Sequence, residues 1–291
     1  MSKVFGIDIS VYQKGYDYKR ASKEGVRFAI IRAGASRTKD SQFDKHYKNA
    51  KKQGWGVGAY WYTYATTVAE AQVEIKAFLK ALKGKQFEYP VYLDIEDASI
   101  KGAGKTVLNA IVKAYGDTLE KAGYYFGVYS NVDWYNNKIS GVTLNKKYDW
   151  WIASWTSTKP SGINAGLWQF GGSSNAIRSN KVAGRVTDQD YAFKDYPTHM
   201  RKYGKNGFKK EVHYDKLNLA RLLKIGSTGT AVVNLQKALN KDLGTKLKID
   251  GIFGDATYKA LLQYQKKHGL KADGIVGKNT AHKLGWLWKD K

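Results

Sequence analysis

The 291-residue sequence has no cysteine, only 3 prolines and 2 methionines, and 25 acidic residues against 49 lysines and arginines. The absence of cysteine excludes disulfides, thiolate metal sites and cysteine nucleophiles. No segment approaches the ~20 consecutive apolar residues that span a bilayer, so we expect no membrane insertion. The N-terminus enters a strand-like run at once, without an apolar stretch of signal-peptide length. We therefore expect synthesis in the cytoplasm and, for a role outside the cell, release by other means.

The formal net charge of +24 predicts attraction to polyanions. Nucleic acid, an anionic membrane and an anionic cell wall all fit this charge, and so does a lysine-rich surface that only keeps the protein soluble. No nucleic-acid-binding motif accompanies the basic residues, so we expect no nucleic-acid partner. The sequence also has 9 Trp, 21 Tyr and 10 Phe. Trp and Tyr often line sites for flat or sugar-like ligands, although large cores also use them.

Eight short apolar or aromatic runs alternate with helix-like stretches up to about residue 195. The runs cover 5–10, 28–34, 56–64, 89–97, 125–131, 148–155, 166–170 and 186–193. This alternation predicts a parallel sheet in an α/β fold, and eight strands in fewer than 200 residues favour a closed (β/α) barrel. An open doubly wound sheet is the alternative. Little helix separates the last three runs, so the barrel is expected to be irregular on that side.

The pattern changes near residue 196. Residues 197–216 are basic, polar and aperiodic, which predicts a linker between a barrel over 1–196 and a second domain over 217–291.

The second domain contains an internal repeat. An Asp-Gly turn followed by an apolar residue and a glycine occurs at Asp250 and again at Asp273. Each turn leads into a helix that we expect to be capped at Thr257 or Thr280. An amphipathic helix over 226–244 precedes them, with apolar residues on one stripe. The repeat predicts a small three-helix domain.

Acidic residues stand at the ends of several predicted strands. In YPVYLDIED (89–97), strand alternation places Asp94 and Glu96 on one face and Asp97 on the other, where it serves as a helix cap or a solvated acid. Asp8 has the same position in the first strand. Because the carboxyl ends of barrel strands form the mouth where barrel enzymes keep their chemistry, we expect these acids to meet there.

The last strand offers two acids on one face, Asp188 and Asp190. The first and last strands of a closed barrel are neighbours, so either acid can meet Asp8. The same parity turns Tyr60 and Tyr62 inward on the third strand and Trp151 inward on the sixth.

An acidic mouth with aromatic walls suits a sugar polymer. Two carboxylates that flank a glycosidic bond share acid–base work, and we assign the acid to Glu96 because its longer side chain reaches further. Solvated strand ends, or a hard-cation site formed by Asp8, Asp94 and Glu96, are the alternatives. The five histidines show no ligand spacing and are expected at the surface.

The segments GIDIS (6–10), FAIIRAG (28–34), YPVYLDIED (89–97) and GVYSN (127–131), with WIASW and WQF later, resemble the glycoside hydrolase family 25 muramidases over residues 3 to about 195. The resemblance implies an irregular TIM-like barrel of the β5α3 type. It also implies cleavage of the bond between N-acetylmuramic acid and N-acetylglucosamine, without a metal or other cofactor.

The same resemblance implies roles for single residues. Glu96 is the proton donor and Asp94 its partner, Asp8 is the acid of the first strand, and Asp188 is the acid of the last strand, with Asp190 left open. The sugar-binding groove is implied at Tyr62, Trp151 and Gln169, and we also expect Tyr60 and Asp190 to contact the substrate. Whether the anomeric configuration is retained or inverted stays open.

The repeat in the second domain resembles the three-helix peptidoglycan-binding module, which recognises cell wall and carries no chemistry. Together the two resemblances imply a modular cell-wall lysin. The absence of a signal peptide favours a phage endolysin that acts on a Gram-positive wall after holin-dependent release. A bacterial autolysin with the same chemistry and a catalytically inactive wall-binding protein are the alternatives. An internal start at Met200 would yield a free C-terminal module able to pair with the full-length chain.

Overall fold

The structure, a computed structural model, describes residues 3–209, 218–219 and 222–288 of the chain. It forms two compact units, Met1–Glu211 and Val212–Lys291. The described helices include none that is both long and apolar enough to cross a membrane.

The first unit is a closed barrel of eight strands, and all eight lie on the predicted runs. They are β1 (Val4–Ile9), β2 (Phe28–Ala35), β4 (Gly56–Tyr62), β5 (Val91–Asp94), β6 (Phe126–Asn131), β7 (Asp149–Ala153), β8 (Leu167–Gly171) and β11 (Asp188–Ala192). The short strand β3 (Thr38–Lys39) pairs antiparallel with the end of β2, and β9 (Lys181–Val182) pairs with β10 (Arg185–Val186) in a separate ribbon.

The strand order around the barrel is β1-β11-β8-β7-β6-β5-β4-β2, and a parallel pairing of β1 with β2 closes it. Seven strands run parallel, as expected. The prediction of an all-parallel sheet is wrong for β11, which is antiparallel to both of its neighbours. A short hairpin-like return over β9 and β10, rather than a crossover helix, leads from β8 to β11, so the last strand enters the sheet from the opposite end.

Helices cover the outside of the barrel unevenly. They are α1 (Tyr18–Lys23), α2 (Phe43–Lys52), α3 (Val68–Leu82), α4 (Gly104–Lys121), α5 (Gly141–Leu144) and α6 (Tyr196–Tyr203). The longer α2, α3 and α4 follow β3, β4 and β5, and only a five-residue π-helix (Trp134–Lys138) and the four-residue α5 lie between β6 and β7. Helices α2 and α4 end close to Gly54 and Gly123, where φ values of +74° and +89° suit glycine.

Two apolar clusters divide the core. The larger one fills the space between the strands and the outer helices and includes Ile7, Leu93 and Ile95. The smaller one fills the barrel itself and is mainly aromatic, with Tyr92, Tyr129 and Trp151 among its members. The alternation of strand side chains therefore separates aliphatic residues outside from aromatic and acidic residues inside.

Helix α6 closes the barrel at the end opposite the carboxyl ends of the parallel strands. Its Tyr196 and Met200 belong to the inner aromatic cluster, and Met200 is completely buried. Asn206 is also buried; its Nδ2 donates to the Tyr89 carbonyl and its Oδ1 accepts from the Tyr125 amide. The predicted linker over 197–216 therefore begins too early, because residues up to at least 208 belong to the barrel unit. The rest of that segment, 210–217, lies outside the described residues.

The second unit contains three helices, as predicted: α7 (Thr230–Leu243), α8 (Asp255–Lys267) and α9 (Lys278–Lys283). Two short strands, β12 (Asn218–Leu219) and β13 (Leu287–Trp288), pair in parallel. The stripe of Val232, Leu235 and Leu239 is fully buried in the core of this unit.

Each Asp-Gly turn of the repeat is held by a buried glutamine. Gln236 accepts from the Gly251 amide at 2.9 Å, and its Nε2 lies 2.9 Å from Asp250 Oδ1. Gln265 makes the corresponding contacts in the second turn. The helix caps were placed wrongly: α8 begins after Gly254 and α9 after Gly277. The two repeat threonines are instead buried acceptors for these glutamines: Gln236 Nε2 donates to Thr257 and Gln265 Nε2 donates to Thr280.

Candidate active site

The carboxyl ends of the parallel strands surround a cleft at the mouth of the barrel. A cavity of about 180 Å³ occupies its centre. Its walls carry four acids, one cation and several aromatic residues, namely Asp8, Asp94, Glu96, Asp188, Arg32, Tyr12, Tyr60, Tyr62, Tyr129 and Trp151, together with Ser10, Gln13 and Gln169. A second cavity of about 430 Å³ continues from Glu96 and Gln169 towards Asp133 and Trp155. The cleft is therefore long enough to hold more than one sugar-sized group.

Strand β5 delivers Asp94 and Glu96 to the cleft as the alternation predicts. Ile95 between them is buried in the outer core. Asp97 turns away and caps the 3-10 helix Ala98–Ala103, where its Oδ1 accepts from the Ser99 amide at 2.8 Å. The expectation that Asp97 is a cap is confirmed. Its other oxygen accepts from the Tyr62 hydroxyl at 2.8 Å, which fixes that ring beside the cleft.

Asp94 is almost fully buried, and its Oδ1 has no hydrogen-bond partner in the described part of the chain. Burial and the adjacent Glu96 raise the pKa of Asp94 well above its usual value, whereas Arg32 opposes that rise. Arg32 is held in place by Asp40, whose Oδ2 lies 2.8 Å from its Nε. The one cation on the wall of the central cavity thus favours the ionised form of Asp94.

Glu96 is partly exposed to the cleft, and burial raises its pKa to about 7. The negative charges of Asp188 and Asp97 raise the pKa further, while a hydrogen bond from the Asn131 side chain lowers it. Asn131 is oriented by the Trp134 amide, which donates to its Oδ1 at 3.0 Å. A carboxyl with this pKa is protonated in weakly acidic solution and can donate its proton, as a general acid requires.

Asp8 and Asp188 lie directly opposite each other in the β1–β11 ladder. Asp188 is the first residue of β11. Because β11 is antiparallel to its neighbours, its first residue lies at the mouth that the last residues of the other strands form. Burial raises the pKa of Asp188 to about 6. The structure therefore brings Asp8, Asp94, Glu96 and Asp188 into one cleft.

Asp190 does not reach the cleft. It is completely buried inside the barrel, below Asp188, and lines neither cavity. Its Oδ1 accepts from the Trp151 indole at 2.7 Å. Of the two acids that the sequence left open on the last strand, Asp188 is the one at the mouth. The expectation that Asp190 contacts substrate is wrong, because two residues along an antiparallel strand carry it one layer deeper.

Gln169 links several groups of the cleft wall. Its Nε2 donates to Asp8 Oδ2 at 2.9 Å, and its Oε1 accepts from the Tyr129 hydroxyl and the Trp155 indole, each at 3.1 Å. Both ends of the amide are thus fixed, and Trp155, which is 41% exposed, is held at the rim.

The predicted aromatic residues line the cleft: Tyr60, Tyr62 and Trp151 all face the central cavity. The rim residue Tyr12, which is 79% exposed, was not predicted. Its ring lies 5.2 Å from the Arg32 guanidinium, in a cation–π contact. Asn131 was also missed as a functional residue, because neither type nor spacing distinguishes a strand-end asparagine from a turn residue.

The loop that carries Tyr12 is fastened by His46. The imidazole is buried; its Nε2 lies 2.8 Å from the Ser10 carbonyl, and its Nδ1 contacts the Tyr18 hydroxyl. Since a carbonyl only accepts, Nε2 carries the proton. Burial lowers the pKa of His46. The surface position expected for this histidine is wrong, because it lies on the inner face of α2.

Among the described residues, no three acidic or histidine side chains form a group suited to hold a metal ion.

A barrel with paired acids at its mouth and aromatic walls is the arrangement of a glycoside hydrolase. The family model of glycosyl hydrolases family 25 matches residues 7–178. The chain belongs to this family of glycoside hydrolases. A second family model, that of a peptidoglycan binding domain, matches residues 228–284.

Individual relatives agree with the first assignment. An N,O-diacetylmuramidase from Arthroderma benhamiae is 32% identical over 192 residues, which are 59% of this chain and 80% of that protein. An autolytic lysozyme from Clostridium acetobutylicum is 24% identical over 288 residues, or 95% of this chain and 77% of that protein. The solved structure of a family GH25 lysozyme from Aspergillus fumigatus superposes with a TM-score of 0.54 at 25% identity and covers 70% of this chain and 100% of its own.

Proposed function

We propose that the chain is a muramidase, which hydrolyses the β-1,4 bond between N-acetylmuramic acid and N-acetylglucosamine in bacterial peptidoglycan. The observation that carries the proposal is the placement of Asp94, the last residue of β5, and Glu96, two residues further on, in one aromatic cleft, with Glu96 on the wall of both of its cavities. The match to family 25 supports the same reaction class.

In this proposal Glu96 protonates the glycosidic oxygen of the leaving sugar. Its raised pKa keeps the proton available near neutral pH, and its partial exposure lets it face the cleft. Asp94 lies deeper and next to Arg32, so it is the better group to remain ionised and to stabilise the positive charge that develops on the sugar ring. The exposed rings of Tyr12 and Trp155 stack on sugar faces at the two ends of the cleft.

The direct test is product analysis on purified peptidoglycan. A muramidase releases fragments with new reducing muramic acid ends, which borohydride reduction converts to muramitol. Reduced glucosamine would indicate a glucosaminidase instead, and release of neither would leave a catalytically inactive wall-binding protein. The variant Glu96→Gln in the full chain serves as the control for contaminating hydrolases.

The second unit supplies wall attachment in this proposal. Its match to a peptidoglycan binding domain and the net charge of +24 support binding to walls that carry anionic polymers, as Gram-positive walls do. The full-length Glu96→Gln variant should sediment with such walls without digesting them. If sedimentation is unchanged between low salt and ~0.5 M salt, the anionic polymers contribute little.

A wall-degrading barrel joined to a wall-binding module fits two cellular roles, and we favour the endolysin over the autolysin. An endolysin lyses the host when holin-dependent release gives it access to the wall. Expression in a bacterial cytoplasm should then leave cells intact until a holin is co-expressed. Lysis, or activity in the medium, without a holin would favour the autolysin.

A free C-terminal module that pairs with the full-length chain also belongs to this proposal. Met200, the start considered for such a product, lies within α6 of the barrel unit. A product from this start would carry half of that helix without its barrel contacts. A single band on a denaturing gel of the expressed protein would count against the second product.

A further inference from the structure

Asp190 is a buried carboxyl that the proposed reaction does not use. Its Oδ1 accepts from the Trp151 indole, but its Oδ2 has no partner among the N–H and O–H groups of the described residues. An ionised carboxylate whose buried oxygen accepts no hydrogen bond is strongly unfavourable, so this oxygen requires a proton or a protonated neighbour.

Asp8 is that neighbour. The β1–β11 register sets Gly6 opposite Asp190 and Asp8 opposite Asp188, which makes Asp8 and Asp190 diagonal neighbours on the inner face. Their carboxyl groups are in hydrogen-bond contact. Two adjoining buried carboxylates do not both ionise readily, whereas one proton between them satisfies both. Burial, with the charges of Asp188 and Asp190, raises the pKa of Asp8 in agreement with this.

Arg32 on β2 lines the central cavity together with Asp8 and is paired with Asp40. The largest charge effects on the pKa of Asp8 and of Asp190 come from other carboxylates and not from a lysine or arginine. The other groups around the pair are acidic or neutral and come from the remaining barrel strands: Asp188 on β11, Tyr60 on β4, Tyr92 on β5, Tyr129 on β6, Trp151 on β7 and Gln169 on β8. The charge of the pair is therefore set by its proton.

We propose that Asp190 is a positioning residue of the cleft and holds one proton jointly with Asp8. It orients the Trp151 indole directly. Through Asp8 it orients the amide of Gln169, which in turn holds the Trp155 indole at the rim. Asp190 does not contact the sugar itself, but it fixes the positions of Trp151, Gln169 and Trp155 in the sugar-binding cleft. This inference rests on the proposed function, because it takes the cleft as the glycan site.

Two variants of the full chain test the inference. Asp190→Asn keeps both contacts, since its Oδ1 can accept from Trp151 and its Nδ2 can donate to Asp8. Asp190→Leu has a similar size and keeps neither. We expect Asp190→Asn to stay within about threefold of wild type in kcat and KM on soluble glycan strands. Asp190→Leu should raise KM about tenfold or more, with a smaller loss of kcat.

The pH profile separates a shared proton from two ionised acids. With a shared proton, the pair carries one negative charge in wild type and in Asp190→Asn, so the alkaline limb of the kcat/KM profile stays in place. With two ionised acids, the substitution removes one negative charge near the cleft. The pKa of Glu96 would then fall and the limb would move to lower pH. A shift of the alkaline limb in Asp190→Asn would overturn the inference that Asp8 and Asp190 share one proton.

The Trp151 indole N–H resonance, assigned with Trp151→Phe, gives a readout that does not depend on activity. It should keep its hydrogen-bonded position in Asp190→Asn and lose it in Asp190→Leu. An unchanged KM or an unchanged resonance in a folded Asp190→Leu overturns the positioning role. If Asp190→Leu does not fold, the pH profile of kcat/KM for Asp190→Asn is the test of the inference. Failure of the proposed function is distinguishable, because the wild-type protein itself would then release no reducing muramic acid ends.

Discussion

Asp8, near the start of the barrel, and Asp188, near its end, face each other across a single rung of the β1–β11 ladder. Strand β11 runs against its neighbours, so the acid at its first residue meets the acid near the last residue of β1. This pairing adds negative charge to the cleft that contains Glu96, and Asp188 contributes to the raised pKa of that residue. Several measurable properties depend on this arrangement.

Replacing Glu96 by Gln should reduce the rate of peptidoglycan hydrolysis by roughly 10²–10⁴-fold, because the amide cannot donate a proton to the leaving oxygen. Binding to walls should be unchanged. The rate is measured as release of reducing ends from purified walls. Asp117→Asn, on the exposed face of α4, is the control and should hydrolyse walls like wild type. Hydrolysis by Glu96→Gln at the wild-type rate would show that another group is the acid.

The activity should decline as the pH rises through about 7, since Glu96 loses its proton there. Asp188→Asn removes a negative charge that raises the pKa of Glu96, so its alkaline limb should lie at lower pH than that of wild type. The pH profiles of kcat/KM on soluble glycan strands give the alkaline limbs of wild type and of Asp188→Asn. A limb that moves to higher pH, or does not move, would contradict the assigned interaction.

The stability of the barrel should fall as the pH rises from about 4.5 to above 7. A folded-state pKa of about 7 for Glu96, against 4.5 unfolded, means that the folded protein binds more protons in this range. The stabilisation is fully present below the unfolded pKa and is lost as the pH passes the folded pKa. Glu96→Gln removes the buried charge and should therefore raise Tm at pH 8.

The same substitution should have little effect at pH 4, where the Glu96 carboxyl is neutral. The expected gain at pH 8 is roughly 2–4 °C for each kcal/mol. Calorimetry at the two pH values compares the variant with wild type. An equal change in Tm at both pH values would indicate altered packing instead of a removed charge.

A chain that ends at residue 195 should fail to form a stable barrel, whereas a chain that ends at residue 209 should be folded and active. The shorter chain lacks Tyr196 and the fully buried Met200, and it also lacks Asn206, which bonds the backbone at Tyr89 and Tyr125. Loss of a buried Met side chain alone costs about 2–5 kcal/mol. Circular dichroism and Tm of the two chains test this, and a stable, active 1–195 chain would show that α6 is dispensable.

Gln265→Leu should destabilise the second unit by about 2–4 kcal/mol, because the amide that joins α8 to the Asp273 turn is lost and the Gly274 amide is left without its acceptor. Gln263→Leu, on the exposed side of the same helix, is the matched control. Binding to walls should be lost only in the first variant. Unfolding of both variants is followed by circular dichroism, and equal effects would rule out a role for the buried amide.

Much of the site follows from strand alternation. Because side chains in a strand alternate, the order Asp94, Ile95, Glu96, Asp97 is enough to separate the two cleft acids from the cap. The direction of β11 does not follow in the same way, since an alternating pattern is the same when read from either end. The depth of Asp190 depends on that direction, and so it could not be predicted.

Other errors have local causes. Helix α6 contains a proline, a histidine and two basic residues, and only Tyr196 and Met200 of its eight residues are buried, so no apolar stripe marks it. His46 is buried because α2 turns it towards the loop after β1, and that contact exists only once the barrel has closed. Arg32 lies within an apolar run, where nothing in its spacing indicates its partner Asp40.

The closing pair of strands also governs when the protein becomes active during its synthesis. Asp8 is translated well before its partner Gln169, which lies 161 residues further along the chain, and Asp188 is later still. Until the ribosome has made β11 and α6, β1 lacks one of its two neighbours and the cleft lacks one wall. A nascent or prematurely terminated barrel therefore has no assembled site, and a cell that makes this enzyme is exposed to its activity only after translation has passed the end of the barrel.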